Sequence, residues 1–290
     1  MFRRLSNSWE LIKESAAVLR ADKELIIFPI VSSIGVLLVT ATFFIPVALS
    51  GIADGVLTGG SDRMTIISFI VLFLYYVAQY FVIIFANSAL VGAAMIRLRG
   101  GDPTLGDGFR IALSRVGTIF GYALIASTVG MILRALAQKR ENFLGRLVIS
   151  LIGMAWNLAT FLVVPVLVVE DVGPFEAIRR SSQLLKKTWG EQIAGNFGIG
   201  GVFGLISIGY ALVLGVPLGY LGVALEAPVL FLVLIALLIV GFVILGLLSS
   251  TLSGIFAASV YRYAAEGATD AYIRPELVQN AFQSSGLATR

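Results

Sequence analysis

Residues 227–261 read APVLFLVLIALLIVGFVILGLLSSTLSGIFAASVY, a run without one Asp, Glu, Lys or Arg. A helix crosses a bilayer with only about 20 predominantly apolar residues. This stretch exceeds that length. Its Leu, Ile and Val are continuous rather than alternating, which excludes the strand of a membrane barrel. Upstream lie five more stretches of the same kind: Leu25–Ser50, Met64–Ile96, Val116–Leu136, Phe143–Val169 and Ile193–Leu225. The expected fold is all-α: a polytopic transmembrane helical bundle of about six spans. It forms one integral membrane domain over 1–290, with 265–290 as a cytoplasmic tail.

Composition points the same way. Hydrophobic residues make up 58% of the chain and charged residues 13%, where soluble domains average about 45–50% and about 25%. Mean hydropathy is +0.95. The chain contains neither Cys nor His, which removes disulfides, thiolate nucleophiles, Cys-type zinc or Fe–S sites and imidazole general bases. No catalytic residue, metal site or cofactor is expected, and the protein is not expected to be an enzyme. A net charge of +4 is too small and too scattered to argue for nucleic acid. Residues 1–24 carry charges throughout, unlike a cleavable signal peptide.

Orientation follows from where the cations fall. With the N-terminus inside, all but five of the 21 Lys and Arg residues lie on the cytoplasmic side. The five are Arg63 and an outer basic group of Arg134, Lys139, Arg140 and Arg146. Both termini are therefore expected in the cytoplasm. The outer basic group runs against the rule and needs a reason: attraction of anions to a pore mouth, binding of anionic headgroups, or a solvated connection.

Three segments that lead into spans share one design. Their expected apolar stripes are Leu5, Trp9, Ile12, Ala16 and Leu19; then Phe109, Leu113, Val116 and Phe120; then Phe175, Ile178, Ser182, Leu185 and Trp189. Ser8-Trp-Glu-Leu-Ile-Lys13 also matches Ser181-Ser-Gln-Leu-Leu-Lys186 in letters. Three tandem units are expected, over 5–97, 107–171 and 174–264. Each is a surface amphipathic helix followed by a two-span hairpin.

The stretches SNSWELIKESAAVLRADKELIIFP, NSALVGAAMIRLRGGDPTLGDGF and VYRYAAEGATDAYIRPELVQNAF resemble a widespread family of uncharacterised prokaryotic membrane proteins. VPVLVVEDVGPFEAIRRSSQLLKKTWG is more loosely similar to the membrane domain fused to some glycerophosphodiester phosphodiesterases. The resemblance implies a six-span fold and no established activity. No phosphodiesterase catalytic domain is present in the sequence.

Candidate functional residues are polar groups inside spans. Gln79, Asn87, Ser88, Asn157 and Asn196 either line a pore or tie helices together. No span carries an ionisable residue at its centre, which argues against proton-coupled transport. Gly195, Gly198, Gly200, Gly201 and Gly204 read as helix-packing positions and raise the expectation of a homo-oligomer. Glu170 and Asp171, just ahead of Arg179 and Arg180, read as a cytoplasmic latch. Two functions stay open: a passive channel or facilitator for small ions or solutes, and a scaffold that interacts with membrane lipids without transport.

Overall fold

Proline, small residues and charge decide where these apolar runs begin, break and pack. The computed structural model describes residues 2–49, 62–138, 143–189, 199–217 and 228–267. Helix is the only regular secondary structure among them. In chain order the helices are α1 (Phe2–Ala21), α2 (Ile27–Leu49), α3 (Asp62–Leu98), α4 (Leu105–Ser114) and α5 (Val116–Gln138). They continue with α6 (Phe143–Ala159), α7 (Val163–Val169), α8 (Pro174–Trp189), α9 (Ile199–Tyr210) and α10 (Pro228–Tyr261).

Five helical stretches are long and apolar enough to cross a membrane: Lys23–Pro46, Ile66–Leu98, Val116–Gln138, Leu144–Val169 and Phe231–Glu266. They match five of the six expected spans. Of the remaining one, expected over Ile193–Leu225, the described part holds a shorter apolar helix, Gly201–Gly215. The chain is an all-α polytopic membrane protein.

Two compact units divide it. Unit one comprises Met1–Ile26, Ala94–Asp102 and Lys186–Arg290; unit two comprises Ile27–Ala93 and Pro103–Leu185. These boundaries cross the expected tandem ones. In unit one, α1 packs on α9 and α10.

Unit two is organised around α3. Rings run along it from Phe28 to Phe109 (5.2 Å), Phe85 (6.4 Å), Phe81 (5.8 Å) and Phe120 (5.8 Å). The ladder closes because Gly108 has no side chain. A Cβ there would lie 2.5 Å from the Phe28 ring and 2.7 Å from the Ala89 carbonyl oxygen, so only glycine lets α4 come this close. Around this core the helices present Leu37, Phe69 and Leu144 outward, as a surface solvated by acyl chains requires.

The amphipathic helices are turned from their expected stripes. On α1, among the residues whose burial is described, the buried ones are Leu11, Ile12, Ser15 and Val18, while Trp9 is 48% exposed; the side chain of Leu5 lies outside the described residues. On α4 they are Gly108 and Ala112, while Leu113 is 59% exposed. On α8 they are Ala177, Ser181, Leu184 and Leu185, while Phe175 is 75% exposed. One physical reason applies to α4 and to the Ala177–Ser181 part of α8. Close approach between helices selects small residues, and large apolar ones can stay outside where the surroundings are themselves apolar. The letter match between the first and third segments does pair like with like: Leu11 and Ile12 are buried, as are Leu184 and Leu185.

Candidate functional site

The polar groups within unit two fall into separate contacts. The first joins α2 to α3. The Gln79 amide nitrogen lies 2.7 Å from Thr40 Oγ1, 3.1 Å from Tyr75 Oη and 3.2 Å from the Val36 carbonyl oxygen. Thr40 in turn donates to Val36 O at 2.8 Å. The donors of Gln79 are therefore spent between two helices.

The other expected pore-lining residues do not join it. Ser88 is fully buried with no hydrogen-bond partner among the described residues. Asn87 is half-buried and Asn157 exposed. Asn196 lies outside the described residues.

A second contact lies where span four breaks. Thr160, Phe161 and Leu162 interrupt the helix between α6 and α7. Pro165 explains the interruption: it has no N–H to give, and its ring crowds the carbonyl four residues back, that of Phe161. The Leu162 N–H, freed by the break, donates to Ser181 Oγ of α8 at 3.0 Å, with both residues fully buried. Thr160 Oγ1 donates to the Trp156 carbonyl at 2.8 Å. On α5, about two turns beyond Tyr122, a Cβ on Gly130 would meet Tyr80 Oη at 2.8 Å, so this glycine makes room for a tyrosine hydroxyl.

Near the far end of α5, Arg134 Nη1 donates to Tyr76 Oη and its guanidinium lies 5.7 Å from the centroid of the Tyr76 ring. Arg134 belongs to α5 and Arg146 to α6, so two of the four outer basic residues sit on helices rather than in the connection. Lys139 and Arg140 lie outside the described residues.

At the opposite end of α5, Thr104 and Asp107 cap α4 reciprocally. The Asp107 carboxylate accepts from Thr104 Oγ1 at 2.7 Å and from the Thr104 N–H at 3.0 Å, and the Asp107 N–H donates back at 3.2 Å. The Thr104 bonds, hydroxyl first, hold the Asp107 carboxyl below its ordinary pKa, with Arg110 adding to the effect.

The expected latch residues separate. Arg180 Nε donates to both Glu170 oxygens, at 3.1 and 3.2 Å, whereas Asp171 pairs with Arg115 of the C-cap position of α4. Arg179 is exposed. Adjacent carboxylates point apart on the backbone, so each finds its own cation.

Unit one carries an ionic group that reading along the sequence did not assemble. Asp22, whose side chain is 5% exposed, accepts from Arg97 Nη2 at 3.4 Å, and the same nitrogen bonds Asp102. Arg99 pairs with Glu266 at 2.5 Å. Arg262 Nη1 donates to the Leu98 carbonyl at 2.5 Å, satisfying an oxygen that the end of α3 leaves without an intrahelical partner. Gly100 (φ +87°) and Gly267 (φ +63°) adopt the left-handed conformation just beyond these two helix ends, where glycine carries no steric cost. The signal was present as charge beside glycine, in RLRGGD and YRYAAEG.

The glycine positions need correction in part. Gly195 and Gly198 lie outside the described residues, and Gly200 and Gly201 belong to α9. A Cβ on Gly204 would meet nothing within 4 Å among the described residues, so no tight packing is seen there among them. The close approach is at Gly241, against the Tyr210 hydroxyl. Tyr210 also stacks edge-on with Phe242 at 5.2 Å. Among the described residues no three carboxylates gather into a metal-binding group.

No curated protein and no solved structure matches the chain. A family model described as a family of unknown function (DUF6159) matches residues 66–271, which is more than half of the sequence and takes in α3 through α10. The chain belongs to that family.

Proposed function

We propose that this protein interacts with membrane lipids, gripping the inner leaflet of a prokaryotic cytoplasmic membrane with both termini in the cytoplasm. One observation carries the reading. α4 buries Gly108 and Ala112, and α8 buries Ala177, Ser181, Leu184 and Leu185, while Leu113 and Phe175 stay exposed on the same helices as the exposed cations Arg110 and Arg179. An apolar surface beside cations at a span entrance suits an interfacial helix, and each cation near an anionic leaflet adds about 1 kcal/mol. Prokaryotic origin and kinship with the membrane domain of glycerophosphodiester phosphodiesterases rest on sequence resemblance alone.

A passive facilitator is the second reading, favoured by the Thr160 and Ser181 hydroxyls at the break in span four. One reconstitution distinguishes the two. With Leu113→Trp or Phe175→Trp in vesicles, brominated acyl chains are expected to quench the new indole; quenching no stronger than from water-soluble quenchers would sink the lipid reading. Vesicles loaded with ions and neutral solutes are expected to leak at the protein-free rate, and protein-dependent flux would favour the facilitator.

A further inference from the structure

Arg134 has more hydrogen-bonding capacity than its contacts among the described residues use. A guanidinium offers five N–H donors in a planar fork. One reaches Tyr76 Oη, and the ring of the same tyrosine lies under the guanidinium at 5.7 Å. Among the described residues no carboxylate pairs with it. Arg134 is nevertheless part of a span, four residues before Gln138, the last residue of α5, or about 6 Å along the axis. It is exposed, between Ile132 (53% exposed) and Leu136 (42%) on a surface that faces acyl chains.

A cation in this position needs an anionic partner or access to water, because an uncompensated charge in hydrocarbon is expensive. The Tyr76 contact fixes the plane of the fork and so leaves its remaining edge directed as a unit. A planar fork matches two oxygens of a phosphodiester better than a point charge does. Phospholipids place that group at the boundary between acyl chains and water. We propose that Arg134, positioned by Tyr76, holds the headgroup phosphate of an anionic phospholipid. The site lies at the other end of α5 from α4, hence in the opposite leaflet from the interfacial helices, and does not depend on the function proposed for them. It also gives one of the outer basic residues that run against the orientation rule, Arg134, a specific role.

Native mass spectrometry of the full chain in detergent tests this, with phosphatidylglycerol, phosphatidylcholine and inorganic phosphate as probes. The wild type is expected to retain phosphatidylglycerol in preference to phosphatidylcholine. Arg134→Gln is expected to bind phosphatidylglycerol roughly tenfold more weakly, as the loss of a charge-assisted contact predicts. Should that variant not fold, Arg134→Lys keeps the charge without the fork and is expected to lose several-fold in the same preference. Tyr76→Phe keeps the ring under the cation but removes the acceptor, and is expected to fall between wild type and Arg134→Gln. Unchanged preference in folded Arg134 variants overturns the proposal. So does displacement of the lipid by equimolar inorganic phosphate, which would make the site one for a soluble anion.

Discussion

Asp22–Arg97 in unit one and Gln79–Thr40 in unit two both tie a helix to α3, but with opposite chemistry. The first joins full charges, with the Asp22 side chain almost wholly buried. The second joins an amide to a hydroxyl within two spans. Ion pairs in a low dielectric are expensive to assemble and far more expensive to leave half-made, because the orphaned charge cannot recover its hydration. A neutral amide in a membrane contributes less, since the unassembled helix finds other partners for it. The two contacts should therefore respond very differently to loss of one member.

The largest effect is expected at Arg97. Arg97→Met strands the Asp22 carboxylate, and thermal unfolding in detergent should show a loss of about 3–5 kcal/mol. Adding Asp22→Asn should recover much of it; a single variant as stable as the wild type would remove the contrast. Ser181→Ala comes next. It leaves the Leu162 N–H without an acceptor inside protein, a loss of about 1–3 kcal/mol in the same measurement, while Ser181→Thr keeps the oxygen and should lose less. Gln79→Leu is expected to change stability least, by about 0.6 kcal/mol and at most about 1.7. A Gln79 effect as large as that of Arg97 would mean that the amide does more than join two helices.

The spans were legible because length and apolar content suffice to define them, and the break in span four has its cause in a local letter, Pro165. The faces of the amphipathic helices were not. Their stripes were traced through large apolar residues, the rule for a protein in water, yet Leu113 and Phe175 point outward and Ala112, Ala177 and Ser181 point in. A membrane removes the penalty for exposing a large aliphatic or aromatic side chain, so size ceases to report burial.

Pairing was also hidden. Arg97, Arg99 and Arg262 were counted for orientation, but their partners Asp22, Asp102 and Glu266 come from segments as far apart as 167 positions for Arg99 and Glu266. Gln79 could be picked out as polar, but not as already occupied by Thr40 and Tyr75. Gly204 and Gly241 show the same limit: local spacing favoured the first, and only the neighbouring helix reveals that the second is the close one.

The Leu162–Ser181 bond also bears on the order in which the protein is made. The acceptor for the broken turn of span four lies 19 residues further along the chain. At usual synthesis rates Ser181 emerges roughly 1–4 s after Leu162. During that interval the span has a backbone donor and no partner for it, and hydrocarbon offers none. Insertion of span four is thus completed by the helix that follows it, so a ribosome that stalls between the two leaves a segment poorly suited to enter the bilayer.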